Sequence, residues 1–234
     1  MEWLFARRQR WFEAPCHLCR RDTLDIAGLC PDCSAEWRAL LGRPRCSSCG
    51  LIRAGSVELD TCGACAARPW PFDGVVAAVD LEPSVRELIH RFKYQRDFSV
   101  LPLLQRTLAE ALIELPDEAL PEALVPMPLH PSQCRRRGFN QAWLLADGVR
   151  RAIDRPLLKR GLRRVRDTGS LTAQSASERR RTLKGAFATD RPMPMRVAIV
   201  DDVLTTGASA AALAAELRRA GAESITVWVL ARTP

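Results

Sequence analysis

Val197-Ala198-Ile199-Val200-Asp201-Asp202-Val203-Leu204-Thr205-Thr206-Gly207-Ala208-Ser209 is the stretch from which the fold of this chain is read. Arg196-Val197-Ala198-Ile199-Val200 reads as a buried strand. Two adjacent carboxylates end it, and a hydroxyl- and glycine-containing loop then opens an alanine-rich helix predicted over residues 208–219. The segment Thr205, Thr206, Gly207, Ala208 and Ser209 can wrap a phosphate with backbone N–H groups and hydroxyls at the positive end of a helix dipole. Asp201 and Asp202, one turn away, would repel phosphate; as acceptors they suit the vicinal hydroxyls of a ribose. A sugar 5-phosphate satisfies both halves at once. Paired acids also end strands in phosphoacceptor and metal-binding α/β domains, and Thr-Thr-Gly can be a plain helix start. Neither accounts for the whole order of apolar strand, two acids, spacer and Thr-Thr-Gly. The sequence carries no GxxxxGK[ST], which removes the nucleotide P-loop.

Working outward, residues 73–79 and 123–125 read as further strands, the second running into the rigid Pro126-Met127-Pro128. Residues 224–230 read as the last. Helical spacing places Leu88, Ile89 and Phe92 on one helix after Pro83, and Leu101, Leu104, Leu108 and Leu112 on another after Phe98. A third is predicted from Asn140 to about Ile153. Strands alternating with helices predict an α/β fold, a mostly parallel sheet with helices on both faces and ligands beyond the carboxyl ends of the strands. Pro69 and Pro71 mark a composition change, so the chain divides into residues 1–70 and 71–234.

The first of these parts is rich in cysteine. Eight of the nine cysteines form four CxxC pairs, Cys16/Cys19, Cys30/Cys33, Cys46/Cys49 and Cys62/Cys65, with gaps of 10, 12 and 12 residues. A CxxC sets two thiolates on one tight turn, and a second turn completes a tetrahedral cage, so the pattern predicts structural zinc with no open coordination position. A disulfide framework is the alternative, and it belongs to oxidising compartments. Local pairing, Cys16, Cys19, Cys30 and Cys33 on one ion and Cys46, Cys49, Cys62 and Cys65 on another, is preferred; a cross-braced pairing stays open. So few core-forming residues need such staples to fold. His17 reads as a bystander and Cys134 as a plain thiol.

With 234 residues, 47% hydrophobic and 26% charged, the chain can bury a core, and disorder and fibrous repeats are excluded. No apolar run approaches a membrane span. Met1-Glu2-Trp3-Leu4-Phe5, followed by Arg7, Arg8 and Arg10, lacks the apolar region and cleavage site of a signal peptide, so a cytoplasmic location without membrane insertion is expected. The net charge of +8 is concentrated: residues 131–189 hold 15 Lys/Arg against 4 Asp/Glu, and the remainder sums to −3. Such a stretch is a solvated surface or a site for phosphate groups, of a small ligand or of a nucleic acid.

The order around Asp201 resembles the phosphoribosyl pyrophosphate (PRPP) motif of type I phosphoribosyltransferases. A narrower resemblance runs over nearly the whole chain. The Cys-rich start, Leu88-Ile89-His90-Arg91-Phe92-Lys93-Tyr94, Val125-Pro126-Met127-Pro128-Leu129-His130-Pro131 and Arg137-Gly138-Phe139-Asn140-Gln141-Ala142 together resemble the ComF family. Its members are associated with DNA uptake in natural transformation or with DNA and gluconate utilisation. The resemblance implies a zinc-binding region on a phosphoribosyltransferase-type domain, a PRPP-like ligand with Mg²⁺, and handling of incoming single-stranded DNA. It puts the pyrophosphate loop at residues 125–130, with Met127, Pro128 and Leu129 as binding residues, where the prolines and a non-trans peptide would turn neighbouring backbone N–H groups toward the diphosphate, and with Arg135, Arg136 and Arg137 to neutralise its charge. Farther on, Thr168, Arg179, Arg180, Gly185, Ala186 and Phe187 keep the family pattern, but Leu171 replaces a Gln, Gln174 a Leu and Thr182 an Asn.

Three functional readings follow. As an enzyme, the site promotes loss of pyrophosphate from the anomeric carbon; Asp201 or Asp202 faces the positive sugar ring, and His90 and His130 are candidate proton carriers. As a single-stranded-DNA-binding adaptor that senses PRPP, it uses Arg135, Arg136, Arg179 and Arg180 for phosphates and Trp143, Phe139 or Trp37 for stacking. A docking surface for a competence helicase or translocase on the zinc region is a third, which no residue identifies.

Overall fold

A computed structural model describes residues 14–53, 60–158, 161–167 and 181–234. Thr168, Leu171, Gln174, Arg179, Arg180 and the first residues of the chain lie outside them.

Two small modules of the same construction open the molecule. In the first, β1 (Ala14–Pro15) and β2 (Asp22–Thr23) pair antiparallel around the Cys16/Cys19 turn. Helix α1 (Pro31–Arg38) starts at the next cysteine pair, with Cys30 as its N-cap and Pro31 at its first position. In the second, an antiparallel bridge between Arg45 and Ile52 closes the Cys46/Cys49 turn, and Cys62 caps α2 (Gly63–Ala67), which carries Cys65. Each module thus offers one pair from a turn and one from a helix start, where the positive end of the helix favours thiolate.

The larger part is built on β3 (Gly74–Asp80), β4 (Ala123–Pro126), β7 (Arg196–Leu204) and β8 (Ser224–Arg232). They form a four-stranded sheet in the order β3-β8-β7-β4 with every pairing parallel. Around it stand α3 (Pro83–Tyr94), α4 (Leu101–Glu110), α5 (Pro131–Arg137), α6 (Gln141–Ile153) and α7 (Ala208–Arg219). A side hairpin pairs β5 (Leu162–Arg164) with β6 (Phe187–Thr189).

Alternation along the strands splits the core in two. Leu124, Ala198, Val200, Trp228 and Leu230 join Leu88 and Phe92 of α3, Leu104 and Leu108 of α4, and Leu145 and Val149 of α6. Val125, Val197, Ile199, Val227 and Val229 face Leu213 and Leu217 of α7 on the other side. The predicted α/β architecture, a parallel sheet covered on both faces, is the one observed.

The topology makes a crevice. After α6 the chain returns to the free edge of β4, where Leu157 pairs parallel with Leu124. After β7 it crosses the opposite face through α7 and enters β8 on the other side. The loops leaving β4 and β7 therefore diverge between neighbouring strands, the arrangement that opens a ligand crevice at the carboxyl ends.

Candidate functional site

Strand β7 runs further than its apolar residues indicate. Asp201 and Val203 pair with Val229 and Ala231 of β8, so both aspartates lie within the strand, and the loop starts at Thr205. Asp202 is only 3% exposed. Its N–H donates to Asp201 Oδ1 at 2.9 Å, and its Oδ2 meets Lys93 Nζ from the last turn of α3. Burial and the adjacent Asp202 charge push the Asp201 carboxyl well above the usual range. Burial would raise Asp202 too, but the charge and hydrogen bond of Lys93, with help from Arg137, hold it below its ordinary value. The pair is therefore one ionised acid and one reluctant to ionise.

Beyond them, residues 203–210 with Asp201 and Val227 wall a cavity of about 220 Å³. Gly207 sits at φ +70° as the N-cap of α7, a left-handed position glycine adopts without strain. The first N–H groups of α7 open toward this end, since the first turn of a helix has no internal acceptors for them. Thr205, Thr206, Gly207, Ala208 and Ser209 are thus gathered around one cavity with Asp201.

The loop after β4 borders a second cavity of about 450 Å³, lined by Pro126, Pro128, Leu129, His130, Asn140 and Arg164 among others. Met127 turns inward; its N–H donates to Val200 O at 2.8 Å and its carbonyl accepts from Asn140 Nδ2 at 3.0 Å. Asn140 also caps α6 by accepting from Ala142 and Trp143 N–H. That gives the Arg137-Gly138-Phe139-Asn140-Gln141-Ala142 segment a physical reason: one side chain starts a helix and pins the loop after β4. No cis peptide occurs among the described residues, so the expected non-trans bond is not what shapes this loop.

Arg135, Arg136 and Arg137 form the last turn of α5, the first two exposed. Arg137 lies 5.5 Å over the Tyr94 ring and donates to Gln141 Oε1 at 2.6 Å. His130 Nδ1 is 2.7 Å from Ser132 Oγ, which itself donates to Asp167. His90 is exposed and stands beside the Tyr94 ring. Trp37 is buried, with its indole N–H donated to Thr107 Oγ1 at 2.8 Å, which removes it as a base-stacking surface. Phe139 packs among Phe92 and Phe98.

Two contributors went unassigned in the sequence. Lys93 falls inside a recognised segment, but nothing in its spacing aims it at Asp202. Arg164, buried on β5 with its guanidinium 5.7 Å over Phe187, feels the Asp201 charge.

The cysteines gather as locally paired: Cys16, Cys19, Cys30 and Cys33 in one group, Cys46, Cys49, Cys62 and Cys65 in the other, each with all its sulfurs within 4.8 Å. None is in a disulfide. A tetrahedron with Zn–S of about 2.3 Å has sulfur–sulfur edges of about 3.8 Å. Cys19–Cys30 at 3.5 Å and Cys49–Cys62 at 4.0 Å bracket that figure. Donors converge on the sulfurs as thiolate requires: Cys62 N–H on Cys46 Sγ at 3.2 Å and Trp70 Nε1–H on Cys65 Sγ at 3.4 Å. Although burial opposes it, backbone N–H groups bring Cys46 down to about 6. Each group can hold a structural zinc ion. His17 instead faces Ser99 O.

Fold and site together define a class: a parallel α/β protein with an acidic strand end and a glycine-containing loop in its crevice, flanked by two four-cysteine modules. Competence protein F of Haemophilus influenzae is 36% identical over 235 residues, covering 95% of this chain and 98% of that protein. DNA utilization protein YhgH of Escherichia coli K12 is 34% identical, covering 93% and 96%. Competence protein ComFC of Streptococcus pneumoniae is 27% identical, covering 89% of each. The chain belongs to the ComF family. No protein-family model matches it.

Proposed function

We propose that this protein binds PRPP or a related phosphoribosyl ligand in the β7 crevice and serves DNA uptake or utilisation, as its relatives named for competence and DNA utilization do. Residues 1–70 would be the zinc-binding region and residues 71–234 the phosphoribosyltransferase-type unit, working in the cytoplasm. Among the described residues no helix is long and apolar enough to cross a membrane. The observation that carries the reading is the convergence of Asp201 and the loop from Thr205 to Ser209 on one cavity at a topological switch point.

The loop takes the 5-phosphate, and the acids accept from the ribose hydroxyls. Loss of pyrophosphate leaves positive charge on the ring, which the ionised Asp202 favours, while Arg137 offsets charge on the departing group. Mg²⁺ arriving with the ligand would neutralise the diphosphate, and Asp201, the acid that lines the cavity, would face it and give up its proton as the cation binds. Titration of Mg-PRPP by calorimetry tests this: binding weakens at least 10-fold in Asp202→Asn. Unaltered affinity overturns the ribose assignment.

The second reading is a single-stranded-DNA adaptor that senses the same ligand. The exposed Arg135 and Arg136 at the end of α5, within the basic stretch of residues 131–189, favour it. Pyrophosphate release in the presence of candidate amines or bases separates the enzyme from the adaptor.

A further inference from the structure

The two metal modules are fastened to the molecule differently. The first sits on α3 and α4, through Trp37 to Thr107 and through Arg91 Nη1 to His17 O at 3.0 Å. The second sits on β3, through Val75 N–H to Ser47 O at 2.7 Å and Arg45 Nη1 to Asp80 Oδ1 at 2.8 Å, and is fastened to the phosphate loop as well, by two side chains.

Trp70 donates its indole N–H to Cys65 Sγ at 3.4 Å. The opposite edge of the same indole lies against Gly207, so closely that a Cβ there would stand 2.7 Å from Cζ3. Arg232, buried at the end of β8, makes the second link. Its Nε donates to Cys49 O at 2.8 Å, and its Nη1 donates to Leu204 O at 3.0 Å and Thr205 O at 2.8 Å. One guanidinium thus grips a cysteine turn and both carbonyls that enter the loop. Between module and loop lies a largely apolar cavity of about 420 Å³, lined by Cys65, Trp70, Thr206, Ala208 and Arg232 among others.

We infer that the metal held by Cys46, Cys49, Cys62 and Cys65 sets the shape of the loop at residues 204–207 through Trp70 and Arg232, making both side chains positioning residues for phosphate binding. The inference rests on the zinc reading of the module and extends the phosphoribosyl reading of the loop. Among the described residues the first module, tied elsewhere, has no such hold.

The test uses the full chain, with zinc content measured, Mg-PRPP affinity by calorimetry, and backbone hydrogen exchange of residues 204–210 referenced to β4. In Cys65→Ser, which loses one zinc equivalent, exchange at 204–210 rises at least 10-fold while β4 stays protected. In Cys33→Ser, which loses the other, the loop exchanges as in the wild type. Trp70→Ala keeps all eight cysteines and guards against a Cys65 variant that fails to fold; it raises loop exchange and weakens Mg-PRPP at least 10-fold. Trp70→Phe loses both the N–H and the outer ring edge against Gly207, so zinc passes to a chelator several-fold faster and loop exchange rises as in Trp70→Ala. Wild-type exchange at 204–210 in both Cys65→Ser and Trp70→Ala overturns the inference. If the wild type does not bind Mg-PRPP, the phosphoribosyl reading falls, and the exchange measurements still decide the coupling.

Discussion

Asp202 keeps a charge inside the protein because Lys93 lies against it, and the two residues are far apart in sequence. Its folded pKa is depressed. The stability this gives is present above the unfolded pKa of about 3.9 and is lost as pH falls through the lower folded value. Lys93→Met strips the counter-charge and should cost about 3 kcal/mol at pH 7, with a smaller loss in acid where Asp202 takes a proton. Urea denaturation at both pH values measures this. Asp201 has the opposite sign: with a raised folded pKa, its contribution is full below about pH 4 and is lost as pH rises through the folded value. Asp201→Asn keeps an oxygen for the Asp202 N–H and removes the like charge. It should raise the Tm, more at pH 7 than at pH 4, while weakening Mg-PRPP at least 10-fold. An equal Tm change at both pH values would show that Asp201 ionises normally. The acids were legible as a motif, but Lys93 was not: in sequence it is one more charge at the end of an amphipathic helix, and only the crossing of α3 over the sheet brings it to Asp202.

At the scale of elements, the signal that held was hydrophobic periodicity. The Leu88, Ile89 and Phe92 spacing gives α3, and the alanine-rich stretch gives α7 over the predicted residues. Elements without such a pattern were not legible. Helix α5, reading Pro-Ser-Gln-Cys-Arg-Arg-Arg, buries no residue, and the β5–β6 hairpin offers three residues a side. Strand β7 exceeds its apolar run because β8 supplies a pairing ladder as far as Leu204, which a change from valine to aspartate conceals. Asn140 shows how a motif residue works through an element. It caps α6 and holds the Met127 carbonyl, so Asn140→Ala should destabilise by about 1–2 kcal/mol in urea denaturation. Asn140→Asp, which keeps the cap acceptor but loses the donor to Met127, should recover part of that. If Asp behaves no better than Ala, the cap is not the source of the effect.

Across the whole molecule, the sheet order sets two unlike neighbours on either side of β7. The second cysteine module packs on the β3–β8 side, where Gly50 approaches Val75 closely enough that a Cβ would lie 2.8 Å from its Cγ1. On the other side β4 leads into α5, which carries the exposed Arg135 and Arg136. A polyanion drawn to that flank would therefore meet the mouth of the crevice without displacing the metal-braced loop. For single-stranded nucleic acid the logarithm of affinity falls with the logarithm of salt by about 0.7 per phosphate contact. Replacing both Arg135 and Arg136 by Ala should then reduce the slope by about 1.4. Both are exposed at the end of α5, so fold and Mg-PRPP affinity should be retained. Fluorescence anisotropy with an unstructured oligonucleotide over 50–300 mM salt reads the slope directly (roughly the range where counterion release dominates). A slope that does not change in the double variant removes these arginines from any DNA contact, and an affinity indifferent to salt in the wild type removes the adaptor reading altogether.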